Sequence, residues 1–445
     1  EISRIETQSS FNSELKRVIS VLLETPLLLK IIELCPIPNI IFEVLLRRLR
    51  KAFLLHDNLE TSNDNYLVIQ CSLALHCFTN EYVYGEEKEE TQKLKQLEKI
   101  ISDTISENKT TPWRRIACLA SYQPLNKFSW SRNLTVPVHM ANLFLRQVYN
   151  VDCEFSLRDR IPSIGAVTED TSLAVKEQYE ESPYPRWVKI GILQKSMTIP
   201  EIINVVGIRT LPHELHQSNQ PQILVAGCGT GQHAIEAAVR YANGHVTAID
   251  LSLSSLSFAL RRTRELNIKN INYLHGDILD LISTEPEFDV IETTGVLHHM
   301  SDPILGWRIL KNCLKSKGLM RIGLYSSLAR SDLSEVKEKM GDLAPPITNQ
   351  KIYDYRNKIL DNAGLEFEKL VRYPDFFSTS ELRDLLFHVQ EHTFTLIEIK
   401  NMLKELDLIF CGFETVDKKT KEAVSAVGGG PESLFSLDAW DSFEQ

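Results

Sequence analysis

A chain of 445 residues, 43% hydrophobic and 24% charged, has ordinary globular composition and length enough for two or three domains, which excludes a disordered or fibrous protein. Lys and Arg total 49 against 59 Asp and Glu, a net charge of -10, so the chain lacks the electrostatic footprint of a duplex DNA or general RNA binder. The apolar stretch 21–40 is broken by Glu24, Lys30, Glu33 and three prolines, which excludes a membrane span, and the eight cysteines contain no Cys-x-x-Cys pair, which fits a reducing cytoplasm. The chain opens at Glu1 without a charged n-region or small-residue cleavage site, so its start reads as a trimmed end rather than an export signal.

From residue 12 to about 150 apolar residues recur at three- and four-residue steps, as in Ile40, Ile41, Val44, Leu45, Leu49, Phe53 and Leu54, with Arg47, Arg48, Arg50 and Lys51 on the other face. This spacing predicts helices over 13–23, 39–56, 66–78, 89–107, 112–122 and 137–149 and a helical domain over 1–150, without a clean repeat period. Between 151 and 200 the pattern loosens into a linker, and Gln178-Tyr-Glu-Glu-Ser-Pro-Tyr-Pro-Arg-Trp187 concentrates aromatics and prolines there. From residue 222 short apolar runs at 223–226, 246–249, 271–274, 288–292 and 319–325 alternate with helical intervals, which predicts a parallel sheet covered by helices on both faces.

The sharpest motif is Ile223-Leu-Val-Ala-Gly-Cys-Gly-Thr-Gly-Gln232, a strand running into a glycine turn and a helix. Gly227, Gly229 and Gly231 remove Cβ atoms where a ligand lies against the backbone, and the helix start aims free N–H groups at that spot. Such a turn serves NAD, FAD or S-adenosylmethionine alike. Asp250 ends the next strand, where a carboxylate accepts hydrogen bonds from ribose hydroxyls. Asp277 follows the third strand, with Ile278 beside it, positioned for an adenine amino group and ring; a dinucleotide fold does not require that acid. The fourth run continues through Thr293-Thr-Gly-Val-Leu-His-His-Met-Ser-Asp-Pro303, which closes the pocket.

On these residues the chain resembles the class I S-adenosylmethionine-dependent methyltransferases, specifically bacterial ones often fused behind tetratricopeptide repeats. The likeness also rests on Ala248-Ile-Asp-Leu-Ser-Leu-Ser-Ser-Leu256, Gly295-Val-Leu-His-His299, Gly323-Leu-Tyr-Ser-Ser-Leu-Ala-Arg330 and Ser380-Glu-Leu-Arg-Asp-Leu-Leu-Phe-His-Val-Gln-Glu-His392. Two departures stand out: the repeats are not evident, and relatives tend to continue beyond Gln445. The resemblance implies an α/β fold, a doubly wound, Rossmann-like sheet of seven strands over 201–445, its last pair at 366–373 and 408–416. It implies S-adenosylmethionine as cofactor, bound through Gly227, Gly229, Gly231, Asp250 and Asp277, with Cys228, Leu251, Ile278 and Thr294 beside them.

Beyond the cofactor turn, His298 or His299 is a candidate general base, because methylating an amine or hydroxyl near neutral pH requires loss of a proton; the plainer reading is a strand cap. Glu292 is a candidate for orienting a nucleophile, or a satisfied strand-end acid. Tyr184 and Arg186 are expected at the cofactor, Arg186 at its carboxylate, and Tyr179, Trp187, Tyr325, His388 and His392 at the acceptor, with a substrate-side insertion over about 329–404. His388-Val-Gln-Glu-His392 also has the order of an inverted zinc-protease motif if helical, with Glu398 or Glu405 as third ligand, but the surrounding pattern supplies no protease scaffold and no metal is expected. The expected function is methyl transfer to a small-molecule or peptide/protein acceptor, with a possible protein partner for the helical domain, no duplex nucleic acid and no membrane. The rivals are a cofactor-binding regulatory module and an NAD-dependent oxidoreductase.

Overall fold

The computed structural model describes residues 8–56, 64–192, 195–210, 218–283, 287–340, 347–362, 369–414 and 416–445. The chain divides into two compact units: Glu1–Ser156 with Pro185–Lys189 and Met340–Phe387, and Leu157–Tyr184 with Ile190–Lys339 and His388–Gln445.

The first unit is helical, with helices Gln8–Glu24, Pro26–Leu34, Ile40–Leu55, Asp64–Thr79, Lys88–Ser106 and Trp113–Ala120. Helix Pro26–Leu34 goes beyond the sequence reading; Pro26 stands in its first turn, where a missing N–H costs nothing. Asn39 starts the third helix by accepting the Phe42 N–H at 3.0 Å. The stretch expected as one helix over 137–149 is instead a 3-10 turn Val138–Met140, one α turn Ala141–Phe144 and a π turn Leu145–Tyr149. Leu46, Leu54, Leu75, Ile101, Leu119 and Phe144 build the core of residues 15–148.

Residues 340–387 group with this helical unit, although the sequence reading placed the whole insertion 329–404 on the sheet-bearing half. The physical reason is Arg356, buried with Glu43, to which its two terminal nitrogens donate at 2.8 and 2.5 Å while its Nε donates to the Phe376 carbonyl at 3.0 Å. A guanidinium taken out of water requires such a partner, and the partner is on the third helix.

The second unit carries the sheet. Strands β1 (Gln222–Ala226), β2 (His245–Asp250), β3 (Ile271–His275), β4 (Phe288–Thr294) and β5 (Leu314–Gly323) are all parallel, in the order β3-β2-β1-β4-β5. Both faces are covered: Ile223 and Val225 enter one apolar cluster with Ala234, Ala237, Leu256 and Ala259, whereas Leu224 and Ala226 enter another with Ile291, Trp307 and Leu310. The chain leaves β1 toward β2 on one side and returns through β4 on the other, so β1 and β4 flank the switch point where such sheets bind ligands.

Five strands stand among the described residues where seven were expected. Leu370–Arg372 is a 3-10 turn, and 366–368 lie outside the described residues. The run 408–414 pairs into no strand: Gly412 has φ of +124°, and Phe410, Phe413 and Val416 pack with Leu396, Val424, Leu437 and Trp440. Apolar side chains drawn onto a helical cluster leave no strand to pair with β5. No helix among the described residues is long and apolar enough to cross a membrane.

Candidate functional site

The glycine turn at the end of β1 is braced by its neighbours. Gly227 and Cys228 donate their N–H groups to the Ile249 carbonyl at 2.8 and 3.0 Å, and Gly229 donates to Asp250 Oδ2 at 2.7 Å. Gly227 has φ of +72°, and a Cβ there would stand 2.2 Å from Val296 Cγ2, so the turn tolerates no side chain at this position. Asp250 Oδ1 accepts the Ser252 N–H at 2.9 Å. Burial pushes the Asp250 carboxyl up to about 6, although the Ser252 and Gly229 N–H groups pull it down. Cys228 is buried filler, its thiol pushed well above the usual range by burial. The Leu251 carbonyl faces His275 Nε2 at 3.1 Å, and Ile278 is buried in the cluster beneath.

Asp277, 5% exposed, accepts the Leu279 N–H on Oδ1 at 3.0 Å, while its buried Oδ2 has no hydrogen-bond partner among the described residues. An unfilled buried carboxylate oxygen is costly and marks a place for a donor from outside. It suits an exocyclic amino group of a nucleobase, so the residues present fit an adenosine-bearing group.

The upstream strap closes this edge. Helix Asp170–Glu181 places Glu180 so that its carboxylate accepts the Leu253 and Ser254 N–H groups, the Tyr179 carbonyl accepts from Ser252 Oγ at 3.0 Å, and the Tyr184 carbonyl accepts the Thr230 N–H at 3.3 Å. Thr294 and Gly295 stand exposed at the end of β4, with open space where a Gly295 Cβ would be.

Beyond β4 the structure assembles a continuous row of rings. Tyr184 stacks on Tyr179 at 6.3 Å between centroids, Tyr179 meets His388 at 5.8 Å, His388 stacks on His299 at 3.5 Å, His299 meets His298 at 4.2 Å, and His298 stacks on Tyr325 at 3.7 Å. The backbone of Gln390 fixes two tautomers. Its N–H donates to His388 Nδ1 at 3.2 Å, so the neutral ring carries its proton on Nε2, 3.1 Å from the Tyr179 hydroxyl. Its carbonyl lies 2.7 Å from His299 Nδ1, which therefore carries hydrogen, leaving the lone pair of a neutral ring on Nε2. Burial first, then the neighbouring His299, holds His298 and His388 down at about 2, so both are neutral at physiological pH. His392 adds its backbone N–H to the His298 carbonyl at 2.8 Å. The segment 388–392 lies past the end of helix Thr379–Phe387, so the one-face geometry of the zinc-protease reading is not formed.

Three expected residues have partners of their own. Glu292 is fully buried under helix Gln232–Arg240, where it accepts from Tyr241 Oη at 2.6 Å and from His233, with Arg321 at 3.5 Å. Burial raises its pKa, but His233 and Tyr241 more than offset this and hold it at about 2, so it is a satisfied structural anion. Arg186 pairs with Glu81 at 3.5 Å and lies over the Phe78 ring at 4.9 Å in the helical unit, and Trp187 is buried in the same unit. Sequence reasoning missed Gln390, whose contribution is its backbone, and Glu180, whose signal was an acid at the end of a strap helix.

Comparison with known proteins bears on this geometry. The family model described as "Methyltransferase domain" matches residues 218–364. The uncharacterized protein syc1184_c of Synechococcus sp. is 27% identical over 241 residues, 51% of this chain and 57% of that protein. A tRNA (guanine-N(7)-)-methyltransferase of Pediococcus pentosaceus is 25% identical over 179 residues, 40% of this chain and 77% of that protein. The structure of PKMT2 from Rickettsia typhi in complex with AdoHcy aligns with a TM-score of 0.39 at 17% identity, covering 56% of this chain and 52% of that one. The chain thus spans little more than half the length of the Synechococcus relative. Residues 218–364 match a methyltransferase domain, and the match coincides with the parallel sheet and its glycine turn.

Proposed function

We propose that this chain moves a methyl group from S-adenosylmethionine to a small-molecule or peptide/protein acceptor that enters beside the row of rings, the sheet-bearing half doing the chemistry. The observation that carries the reading is the buried, unfilled Asp277 Oδ2, which an adenine amino group satisfies and an NAD-linked reading leaves unexplained.

The turn Gly227–Gly231 and Asp250 hold the donor, Asp250 through the ribose hydroxyls, with Asp277 and Ile278 at the base, Leu251 and Cys228 beneath and Thr294 and Tyr184 at the rim. Bound S-adenosylmethionine supplies a sulfonium methyl for in-line displacement by the acceptor's lone pair, the sulfur keeping the bonding electrons. The protein's own work is alignment, exclusion of water and receipt of a proton. His299 Nε2 receives the acceptor's proton, its orientation set by the Nδ1–H bond to Gln390. Tyr179, His388, His298 and Tyr325 wall the acceptor side, and His392 anchors that wall through its backbone.

Calorimetric titration with S-adenosylhomocysteine and with NAD tests the donor assignment, and labelled S-adenosylmethionine incubated with fractionated lysate tests the acceptor. The reading expects micromolar binding of the homocysteine product and label in small molecules or peptides. Binding of NAD alone, or salt-sensitive labelling of long RNA or DNA, overturns it.

A further inference from the structure

The helical unit carries a groove of its own. Helix Lys88–Ser106 sets Lys95, Glu98, Lys99 and Ser102 on one face by their three- and four-residue spacing. The short turns Leu125–Lys127 and Ser129–Asn133 border that face, and Gln123 Nε2 donates to Glu98 Oε1 beside them. The cavity between has a volume of about 460 Å³, with Lys127, Phe128 and Trp130 on its far wall. Trp130 also walls a second cavity of about 320 Å³, where Ile105 and Leu134 add apolar surface and Asn108 and Asn133 add amides. Phe128 and Trp130 stack with centroids 5.1 Å apart and planes 20° apart, which fixes the indole between the two cavities.

The charges in this groove are unbalanced. Lys95, Lys99 and Lys127 are exposed, and among the described residues no carboxylate pairs with any of them, whereas Lys109 in the second cavity pairs with Glu107. Lys95 and Lys99 repel one another across a single helical turn, and the acid between them, Glu98, is engaged by Gln123. Three such cations gathered in one concavity, on a chain whose net charge is -10, attract an anion.

We propose that this groove binds a nucleoside polyphosphate, its phosphates among Lys95, Lys99 and Lys127 and its base against Trp130 in the second cavity. Ammonium groups hold phosphate oxygens as point charges, and three of them match a di- or triphosphate better than a single carboxylate. An indole offers a face on which any base stacks, and the two asparagine amides carry both donors and acceptors for a base edge. From Lys95 to Ser102 the basic cavity runs about 10 Å along the helix, the reach of one phosphate chain rather than of a nucleic-acid strand. An acidic peptide would satisfy the lysines and leave Trp130 and the amides unused.

The test is calorimetric titration of the full chain with ATP, adenosine and inorganic tripolyphosphate, in excess S-adenosylhomocysteine so that the donor site does not compete. The variants are Lys99→Gln, Lys127→Gln, Trp130→Leu and, as a control for general charge, Lys419→Gln, with thermal melting to confirm that each folds. Wild type should bind ATP with submillimolar affinity and adenosine more weakly. Lys99→Gln and Lys127→Gln should each weaken ATP and tripolyphosphate by about fivefold, and Trp130→Leu should weaken ATP by about fivefold and leave tripolyphosphate unchanged. Lys419→Gln should change neither. Should Trp130→Leu melt early, tighter binding of ATP than of tripolyphosphate by wild type carries the base assignment, and equal binding overturns it. Absence of ATP binding, or binding that ignores both lysine substitutions, overturns the site. An oligouridylate or an oligoglutamate that binds through the same lysines at least about tenfold more tightly than ATP also overturns it, in favour of a strand or a peptide.

Discussion

Glu292 and Asp277 are both buried acids at the C-terminal ends of the sheet region, and their surroundings could hardly differ more. Around Glu292 every lone pair has a claimant: Tyr241, His233 and Arg321 face it, and Arg240 stands 3.8 Å away. Around Asp277 one oxygen is served by Leu279 and the other by none of the described residues. The root of helix Gln232–Arg240 is thus complete in itself, whereas the rim past the glycine turn has acceptors and donors waiting. Burial alone does not mark a functional acid; burial with an unfilled valence does.

The sharpest way to break that contrast is to close the rim sterically. Gly227→Val should abolish measurable binding of S-adenosylhomocysteine, a loss of at least about 100-fold, because the new side chain meets Val296 and the backbone angle is unfavourable. Retained micromolar affinity by calorimetry would place the donor elsewhere. His299→Ala should lower kcat by about 100-fold while leaving the homocysteine product's affinity within about twofold, as expected of a proton acceptor that does not hold the donor. A parallel fall in both would move His299 into the donor site.

The pH dependence sharpens the same comparison. The ionised Asp250 is the better acceptor for two ribose hydroxyls, and its carboxyl is raised to about 6, so donor affinity should fall by up to about tenfold per unit as pH drops below 6. Asp250→Asn should flatten that profile at lower affinity, and an unflattened profile would assign the titration to another group. Stability moves with the other groups. His298 and His388 resist protonation down to about 2, whereas the unfolded chain takes up protons below about 6.5, so each contributes stability above that pH that is lost on acidification. Glu292, held at about 2 against an ordinary 4.5, loses its contribution lower, between those two values. Melting followed across pH should therefore begin to decline near 6, and His298→Phe should soften the upper part of that decline more than Glu292→Gln does.

How far the sequence carried the reading follows from how local each feature is. The glycine turn, Asp250 and Asp277 lie next to strand ends, and local grammar located them all. The rings were named one by one from composition and position, but their assembly depends on Tyr179 meeting His388 across 209 residues of chain, which no periodicity reports. Arg186 and Glu292 each meet a charged partner on another element, Glu81 for one and His233 for the other, which bears out the satisfied-acid alternative for Glu292 and which no local pattern reports. Residues 408–414 read as strand because Phe410 and Phe413 are apolar at short spacing, yet a helical cluster claims those rings. Tertiary partners decide such cases, and a single sequence does not display them.

The most direct test sets the two acids side by side: calorimetric titration of S-adenosylhomocysteine into wild type, Asp277→Ala and Glu292→Gln under identical conditions. The account predicts about a tenfold or greater loss of affinity for Asp277→Ala, with its melting temperature little changed, and an affinity within about twofold of wild type for Glu292→Gln, with a lower melting temperature. Loss of binding in Glu292→Gln together with full binding in Asp277→Ala would contradict it.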